Sequence, residues 1–251
     1  MLSYGAQQAK LFLLNKAPVS LTFEQGYRPP NPYGLAASRV GHLRFTFQNS
    51  TAPYILVEAT RPTTIGSPAS PSSKIVFPWG TIFIDTEKRE ITGRNPERQD
   101  AIIGPISTPA SGFNGYFCAR FDTPFNSWGI AQNGTLHDGG MAGEGAALSA
   151  YVRFGEDVTT VDARIGVSFI SIDQARRNLD KEIPDGTSLE ETAKQTRAAW
   201  KDHLDRIQID GATDDQKAIF YTAFYHTLQV SFKPNWFTAR SDTGYFVAVP
   251  L

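Results

Sequence analysis

The stretch TVDARIGVSFISIDQARRNLDKEIPDG, residues 160–186, contains a change of period that decides the fold. In its first half Val161, Ala163, Ile165, Val167 and Phe169 fall on one face, and Asp162, Arg164, Gly166 and Ser168 on the other. Alternation of that kind predicts a half-buried strand. At Ser171 the spacing becomes helical. Ser171 and Gln174 have the separation of a capping box at the head of IDQARRNLDKEI, and Pro184 closes that helix.

Upstream of this switch the chain reads as strands. In HLRFTF, Leu43, Phe45 and Phe47 alternate with Arg44 and Thr46, and YILVEAT, TIFIDT and GYFCARF follow. Turn-rich stretches separate them: RPPNPYG, GSPASPSS, TGRNPERQD and AQNGTLHDGGMAGEG. Many strands with such breaks predict an antiparallel sandwich or barrel. No repeat of fixed period interrupts the pattern.

Downstream the chain reads as helices. Ser188 and Glu191 open a second one, with Leu189, Ala193, Trp200, Leu204 and Ile207 at helical spacing. Thr213 and Gln216 open a third, with Ile219, Phe220, Ala223, Phe224 and Leu228 along one stripe. The expected helices are 172–183, 189–208 and 214–229. A run of strands followed by a run of helices predicts separate layers, not alternating βαβ units.

The composition is ordinary for a globular chain: of 251 residues, 41% are hydrophobic and 20% charged. A formal net charge of -1 makes no electrostatic case for nucleic acid or an anionic membrane surface. The apolar runs are too short to suggest a membrane span. The opening MLSYGAQQAK has no basic segment followed by an apolar one, so we expect no secretory signal on this chain. Two acceptor triplets, Asn49-Ser50-Thr51 and Asn133-Gly134-Thr135, permit a secretory route without establishing it.

No complete catalytic constellation emerges from these residues. The single cysteine, Cys118, excludes an internal disulfide framework and a cysteine-based zinc site, and we read it as structural. His42 lies on a strand, and His203 on the polar side of the second helix. His226 on the third helix reads as a packing or hydrogen-bonding group, and none of the three belongs to an H-x-x-x-H or H-E-x-x-H pattern. HDGGMAGEG lacks the order of a phosphate-binding loop and reads as a flexible loop. Its acids, Asp138 and Glu144, are cation ligands only if further oxygens converge on them. Glu190-Glu191 and Asp214-Asp215 fall in first helical turns, where acids meet the helix dipole. Trp79 and Trp128 are candidates for sugar stacking or, more simply, core packing.

Five stretches in order resemble glycoside hydrolase family 92, the calcium-dependent exo-α-mannosidases, especially its fungal members. They are AASRVGHLRFTF (36–47), GFNGYFCARFDTPFNSWG (112–129), ARIGVSFISIDQARRNLDKEIPDG (163–186), AAWKDHLDRI (198–207) and FYTAFYHTLQ (220–229). The resemblance implies a galactose-mutarotase-like sandwich over 1–170, a helical linker over 171–210, and over 211–251 the first helix of a truncated (α/α)6 barrel plus an irregular tail. It implies a parent that removes terminal α-mannose from N-glycans or mannan with inversion. Such a reaction needs a general acid and a general base facing each other across the sugar. In the family these groups, and most of the calcium ligands, belong to the barrel. No catalytic, cofactor-binding or metal residue is therefore assigned to this chain, and nothing marks Asp162, Asp173 or Glu182 as catalytic. We expect the chain alone to be inactive and to hold no calcium. The expected partners are α-mannoside glycans, met through the full-length enzyme, with neither nucleic acid nor membrane among them. The alternative is a non-catalytic sandwich that binds carbohydrate or protein. After Gln229 the family pattern is expected to stop; the tail from Val230 shows no clear period, and translated intron is one reading of it.

Overall fold

The computed structural model describes residues 11–12, 19–25, 39–47, 52–60, 63–65, 74–76, 79–96, 114–229, 238–241 and 244–247. In chain order the strands are β1 (Leu11–Phe12), β2 (Val19–Gln25), β3 (Val40–Phe47), β4 (Tyr54–Glu58), β5 (Thr63–Ile65), β6 (Lys74–Val76), β7 (Gly80–Asp85), β8 (Glu90–Asn95), β9 (Gly115–Phe121), β10 (Ser127–Gln132), β11 (Thr135–Asp138), β12 (Ala142–Gly145), β13 (Leu148–Arg153) and β14 (Thr160–Ser168). Helices α1 (Ile172–Glu182), α2 (Leu189–Leu204) and α3 (Asp214–Gln229) follow, then β15 (Thr238–Ser241) and β16 (Gly244–Val247).

The period-two segments build two facing antiparallel sheets. One has five strands in the order β1-β4-β13-β10-β11, the other seven in the order β12-β7-β8-β9-β14-β3-β2. Leu43, Phe45 and Phe47 point inward, as their alternation predicts, and meet Ile82, Ile84 and Ile91 of the same sheet and Ile55, Val57, Leu148 and Val152 of the other. Side chains as deeply buried as Phe45 and Ile55 each contribute about 1.5–3 kcal/mol of hydrophobic stabilisation. Phe125 meets Phe121 and Phe154 edge-on, with ring centroids 5.5 and 6.0 Å apart.

Two stretches expected as turn or loop, TGRNPERQD and AQNGTLHDGGMAGEG, are partly strand. Thr92–Asn95 belong to β8, inside the seven-stranded sheet. Asn133 and Gly134 alone turn the chain between β10 and β11, and Ala142–Gly145 form β12 at a sheet edge. Close approach explains the glycines here. A Cβ on Gly93 would stand 2.5 Å from the Thr81 carbonyl oxygen, and one on Gly143 2.8 Å from Leu148 Cδ1. The tail, expected to be irregular, contains the β15–β16 hairpin. The RPPNPYG and GSPASPSS turns lie outside the described residues.

The helices start where the capping residues stand. Ser171 Oγ accepts from the Gln174 N–H at 3.0 Å, Ser188 Oγ from Glu191 N–H at 3.1 Å, and Thr213 Oγ1 from Gln216 N–H at 3.3 Å. Gln216 returns the bond, accepting from the Thr213 N–H at 3.0 Å. Helix α2 is shorter than expected, so Ile207 lies past its end and is exposed. Among the described residues no helix is long and apolar enough to cross a membrane.

Strand β14 differs from a half-buried strand in one respect. Its polar face is largely covered, because α1 lies across β14, β9 and β8 on the outside of the sheet. Gly166 makes this possible: a Cβ there would stand 2.3 Å from the Ala175 carbonyl oxygen and 3.0 Å from Leu179 Cβ. Leu179 and Ile183 then pack on Val40. Phe169, expected on the apolar face, follows the last strand residue and is exposed.

Candidate functional site

The outer face of the seven-stranded sheet carries the densest polar chemistry among the described residues. Its centre is Glu90, the first residue of β8, with no solvent exposure. Glu90 Oε1 accepts from Arg120 Nε at 2.9 Å and Nη2 at 2.6 Å; Oε2 accepts from Arg176 Nε at 3.0 Å. Arg120 is on the neighbouring strand β9 and Arg176 on α1, so one carboxylate joins sheet and helix. Arg120 also donates from Nη1 to Asp180 at 2.7 Å and Asp185 at 3.0 Å. Arg164 of β14 reaches the Ile183 carbonyl at 2.7 Å and also pairs with Asp185, which holds that carboxyl below the usual carboxylate range. Arg39 clasps Glu182, donating from its backbone N–H at 3.0 Å and from Nε at 2.8 Å.

A second cluster fixes α2. His42 and Arg44 project from the outer face of β3. Arg44 makes a two-pronged pair with Asp162, both bonds 2.7 Å long, and also binds Glu190 in the first turn of α2. His42 is buried, and its Nδ1 is 2.9 Å from Thr192 Oγ1. The Thr192 hydroxyl donates to the Ser188 carbonyl at 3.1 Å, so His42 Nδ1 carries the proton that Thr192 accepts. Burial pushes the His42 pKa down, which favours the neutral ring, although Asp162 nearby acts in the other direction. His203, expected on the polar side of α2, is buried as well. The buried positions of the helix are Leu189, Thr192, Ala193 and His203, a stripe that includes polar residues and turns toward β2 and β3.

The other candidates are accounted for in turn. Cys118 is fully buried and its thiol pKa is pushed up to about 12, mainly by burial. Asp162 is held by Arg44, Asp173 by Arg176 and Glu182 by Arg39. The acids of the Glu190-Glu191 and Asp214-Asp215 pairs occupy first helical turns, as expected. Asp138 accepts from the Tyr151 hydroxyl and Glu144 from the Trp79 indole N–H, the latter at 3.0 Å. Trp128 packs against the core, whereas Trp79 is 59% exposed. His226 is exposed and its ring meets Tyr225 edge-on. No group of three or more His, Cys, Asp or Glu among the described residues could hold a metal ion.

The chemistry of this face is clamping. Each of its deeply placed carboxylates is bound to guanidinium: Glu90 to Arg120 and Arg176, Asp162 to Arg44, and Glu182 to Arg39. Sequence reading missed Glu90 because the stretch TGRNPERQD, which starts two residues later, reads as a turn and the residues just before it were assigned to no strand. The only signal was the alternation of Ile91 and Gly93 with Glu90 and Thr92. Beyond the clamp, α3 has no buried residue over 214–227: Ile219 is 71% exposed, and Phe220 and Phe224 are half-buried.

Comparison with known proteins accords with this architecture. Residues 35–168 match the glycosyl hydrolase family 92 N-terminal domain, and residues 174–247 match the glycosyl hydrolase family 92 catalytic domain. The second match runs past Gln229, where the sequence reading placed the end of the likeness. The fold is shared with the family GH92 inverting mannosidase BT2199 of Bacteroides thetaiotaomicron, at a TM-score of 0.65 and 23% identity over 90% of this chain and 26% of that one. It is shared also with the family GH92 alpha-mannosidase BT3965 of the same organism, at a TM-score of 0.59 and 18% identity over 86% of this chain and 27% of that one. An uncharacterized secreted glycosidase of Arthroderma benhamiae is 37% identical over 73 residues, 28% of this chain and 10% of that protein. The chain thus spans about a quarter of the two structures and a tenth of the curated relative. Since the N-terminal-domain match alone covers more than half of its residues, the chain belongs to glycosyl hydrolase family 92.

Proposed function

We propose that this chain is the N-terminal sandwich and the opening helices of an inverting exo-α-mannosidase of fungal type, acting on N-glycan or mannan α-mannosides. The divisions proposed are 1–170 for the sandwich, 171–210 for the linker, and 211–251 for the start of an (α/α)6 barrel. The observation that carries the reading is the order of the two family matches, N-terminal domain then catalytic domain, across the junction clamped by Glu90. The unburied apolar residues of α3 support it, because a barrel helix needs neighbours of its own kind.

In this reading the acid, the base and the calcium ligands lie in the barrel, outside these residues. Inversion requires two carboxylates roughly 6.5–9.5 Å apart with a water between them. Small misplacements of such groups cost large factors in rate. The role of this chain is to mount the barrel rigidly. The relative's name also supports a secretory route for the parent.

An aryl α-mannoside assay with calcium tests the proposal. The 251-residue chain should give background release. Extension of the same reading frame through a complete helical domain should give activity that a chelator abolishes. Turnover by the 251-residue chain itself, lost on substitution of one Asp or Glu within it, overturns the assignment. Trp79 favours a second reading, a carbohydrate-binding sandwich, since an exposed indole edge held by Glu144 leaves its ring face free for stacking. Saturable binding of the purified chain to one sugar class, lost in Trp79→Ala, would select that reading.

A further inference from the structure

The β10–β11 hairpin carries an acceptor group that the mannosidase reading leaves unused. Gln132 pairs with Thr135, so Asn133 and Gly134 alone make the turn. Their φ angles are 49° and 79°, the two left-handed positions of a type I′ turn, and Asn-Gly is the dipeptide this turn favours. The Asn133 N–H donates to the Ala147 carbonyl at 3.1 Å, which holds the turn by its backbone and leaves the exposed side chain uncommitted to the fold. A Cβ added at Gly134 would meet nothing within 4 Å. The next residue, Thr135, is exposed too, so all three members of the Asn133-Gly134-Thr135 acceptor triplet stand at the surface.

The strand after the turn has a vulnerability. β11 is the outermost strand of the five-stranded sheet, and all four of its residues are exposed. Leu136 within it is 63% exposed. An open edge with an apolar side chain is a template for pairing with another chain.

We propose that Asn133 is an N-glycosylation site, and that its glycan covers the β11 edge. The donor is an oligosaccharide carried on a lipid pyrophosphate. A bond forms between Asn133 Nδ2 and the first sugar's C1, the bond from C1 to the pyrophosphate oxygen breaks, the amide nitrogen releases one proton, and the lipid pyrophosphate departs. The glycan is bulky, and the open space around the turn accommodates it without moving a strand. This proposal rests on the secretory route put forward above.

The test is translation of the full chain behind a cleavable signal sequence into microsomes, so that import does not depend on the chain's own targeting. Asn49→Gln should retain one endoglycosidase-sensitive mobility step. Asn49→Gln with Asn133→Gln, or with Thr135→Ala, should lose it, and Asn49→Gln with Thr135→Ser should keep it. An imported, protease-protected Asn49→Gln chain without the step overturns the acceptor assignment. For the shielding role, Asn133→Gln secreted from yeast should aggregate faster than the glycosylated protein, and adding Leu136→Lys should reverse this. Equal solubility of glycosylated and Asn133→Gln protein overturns the shielding. Finding the natural protein outside the secretory pathway would overturn the secretory reading while the microsome result stood.

Discussion

Replacing Glu90 by Gln removes one charge from the clamp and almost no volume. The wild-type carboxylate is fully buried between Arg120 and Arg176, whose side chains are 13% and 28% exposed. Removing one member of a buried ion pair costs about 3–5 kcal/mol, chiefly because the partner's charge stays desolvated. Here both guanidinium groups keep exposed partners, Arg120 with Asp180 and Asp185, Arg176 with Asp173. Those partners still compensate both charges, although screening weakens them, so the expected loss lies at the lower end of that range, about 3 kcal/mol. For a chain of this size the midpoint should then fall by about 6–12 °C. Urea unfolding followed by circular dichroism, at low and high salt, measures the loss. Hydrogen exchange should show α1 amides losing protection before those of the five-stranded sheet. Arg176→Met added to Glu90→Gln should recover part of the stability, since it removes one stranded charge. A loss under about 1 kcal/mol, or one that disappears in high salt, would refute the argument, because it would place Glu90 among surface ion pairs.

Four further outcomes follow from the same face and its flanks. Gly166→Ala should cost about 2–3 kcal/mol and loosen α1, read as a lower urea midpoint, because the new Cβ meets helix backbone. The contribution of His42 to stability should be full above about pH 6.5 and fall as pH drops below it. The His42 pKa is lowered in the fold, so the unfolded chain binds the proton first, and His42→Gln should flatten this part of a pH–stability curve. Cys118 should resist a thiol reagent in the native protein and react only at the rate of unfolding, given its burial and a thiol pKa near 12. Ile219→Lys should change unfolding free energy by less than about 0.5 kcal/mol while lowering dye binding to apolar surface, as its side chain is 71% exposed.

The helices were legible because each begins with a local chemical device: Ser171, Ser188 and Thr213 act on residues three positions ahead. The inward alternation of Leu43, Phe45 and Phe47 was equally local. Strands β8, β11 and β12 were hidden because their residues answer distant demands. Gly93 and Gly143 are small because a neighbouring carbonyl or side chain leaves no space, and Thr135, His137 and Asp138 are polar because the strand lies at an edge. The clamp was hidden for a related reason. Glu90 meets Arg176 across 86 positions of chain, and Arg39 meets Glu182 across 143, separations at which spacing along the chain gives no cue. Polar residues on one face of β14 suggested water when they were waiting for a helix. His203 misled in the same way, since polarity on α2 pointed outward and the fold turned it in.

The double grip of Arg120 on Asp180 within α1 and on Asp185 beyond it has a consequence for how the family's sequences can change length. One inserted residue between Arg176 and Asp180 would rotate the far end of the helix by about 100° and carry Asp180 and Leu179 off their seats. The same insertion between Thr187 and Ser188 would leave the bonds of α1 to the sheet in place, and the loop ahead of the Ser188 cap would absorb it, so that Glu190 and Thr192 keep their places on Arg44 and His42. Natural insertions and deletions should therefore collect after Asp185 and be absent from Arg176 to Ile183, and a designed hinge or fused domain belongs in that same short gap.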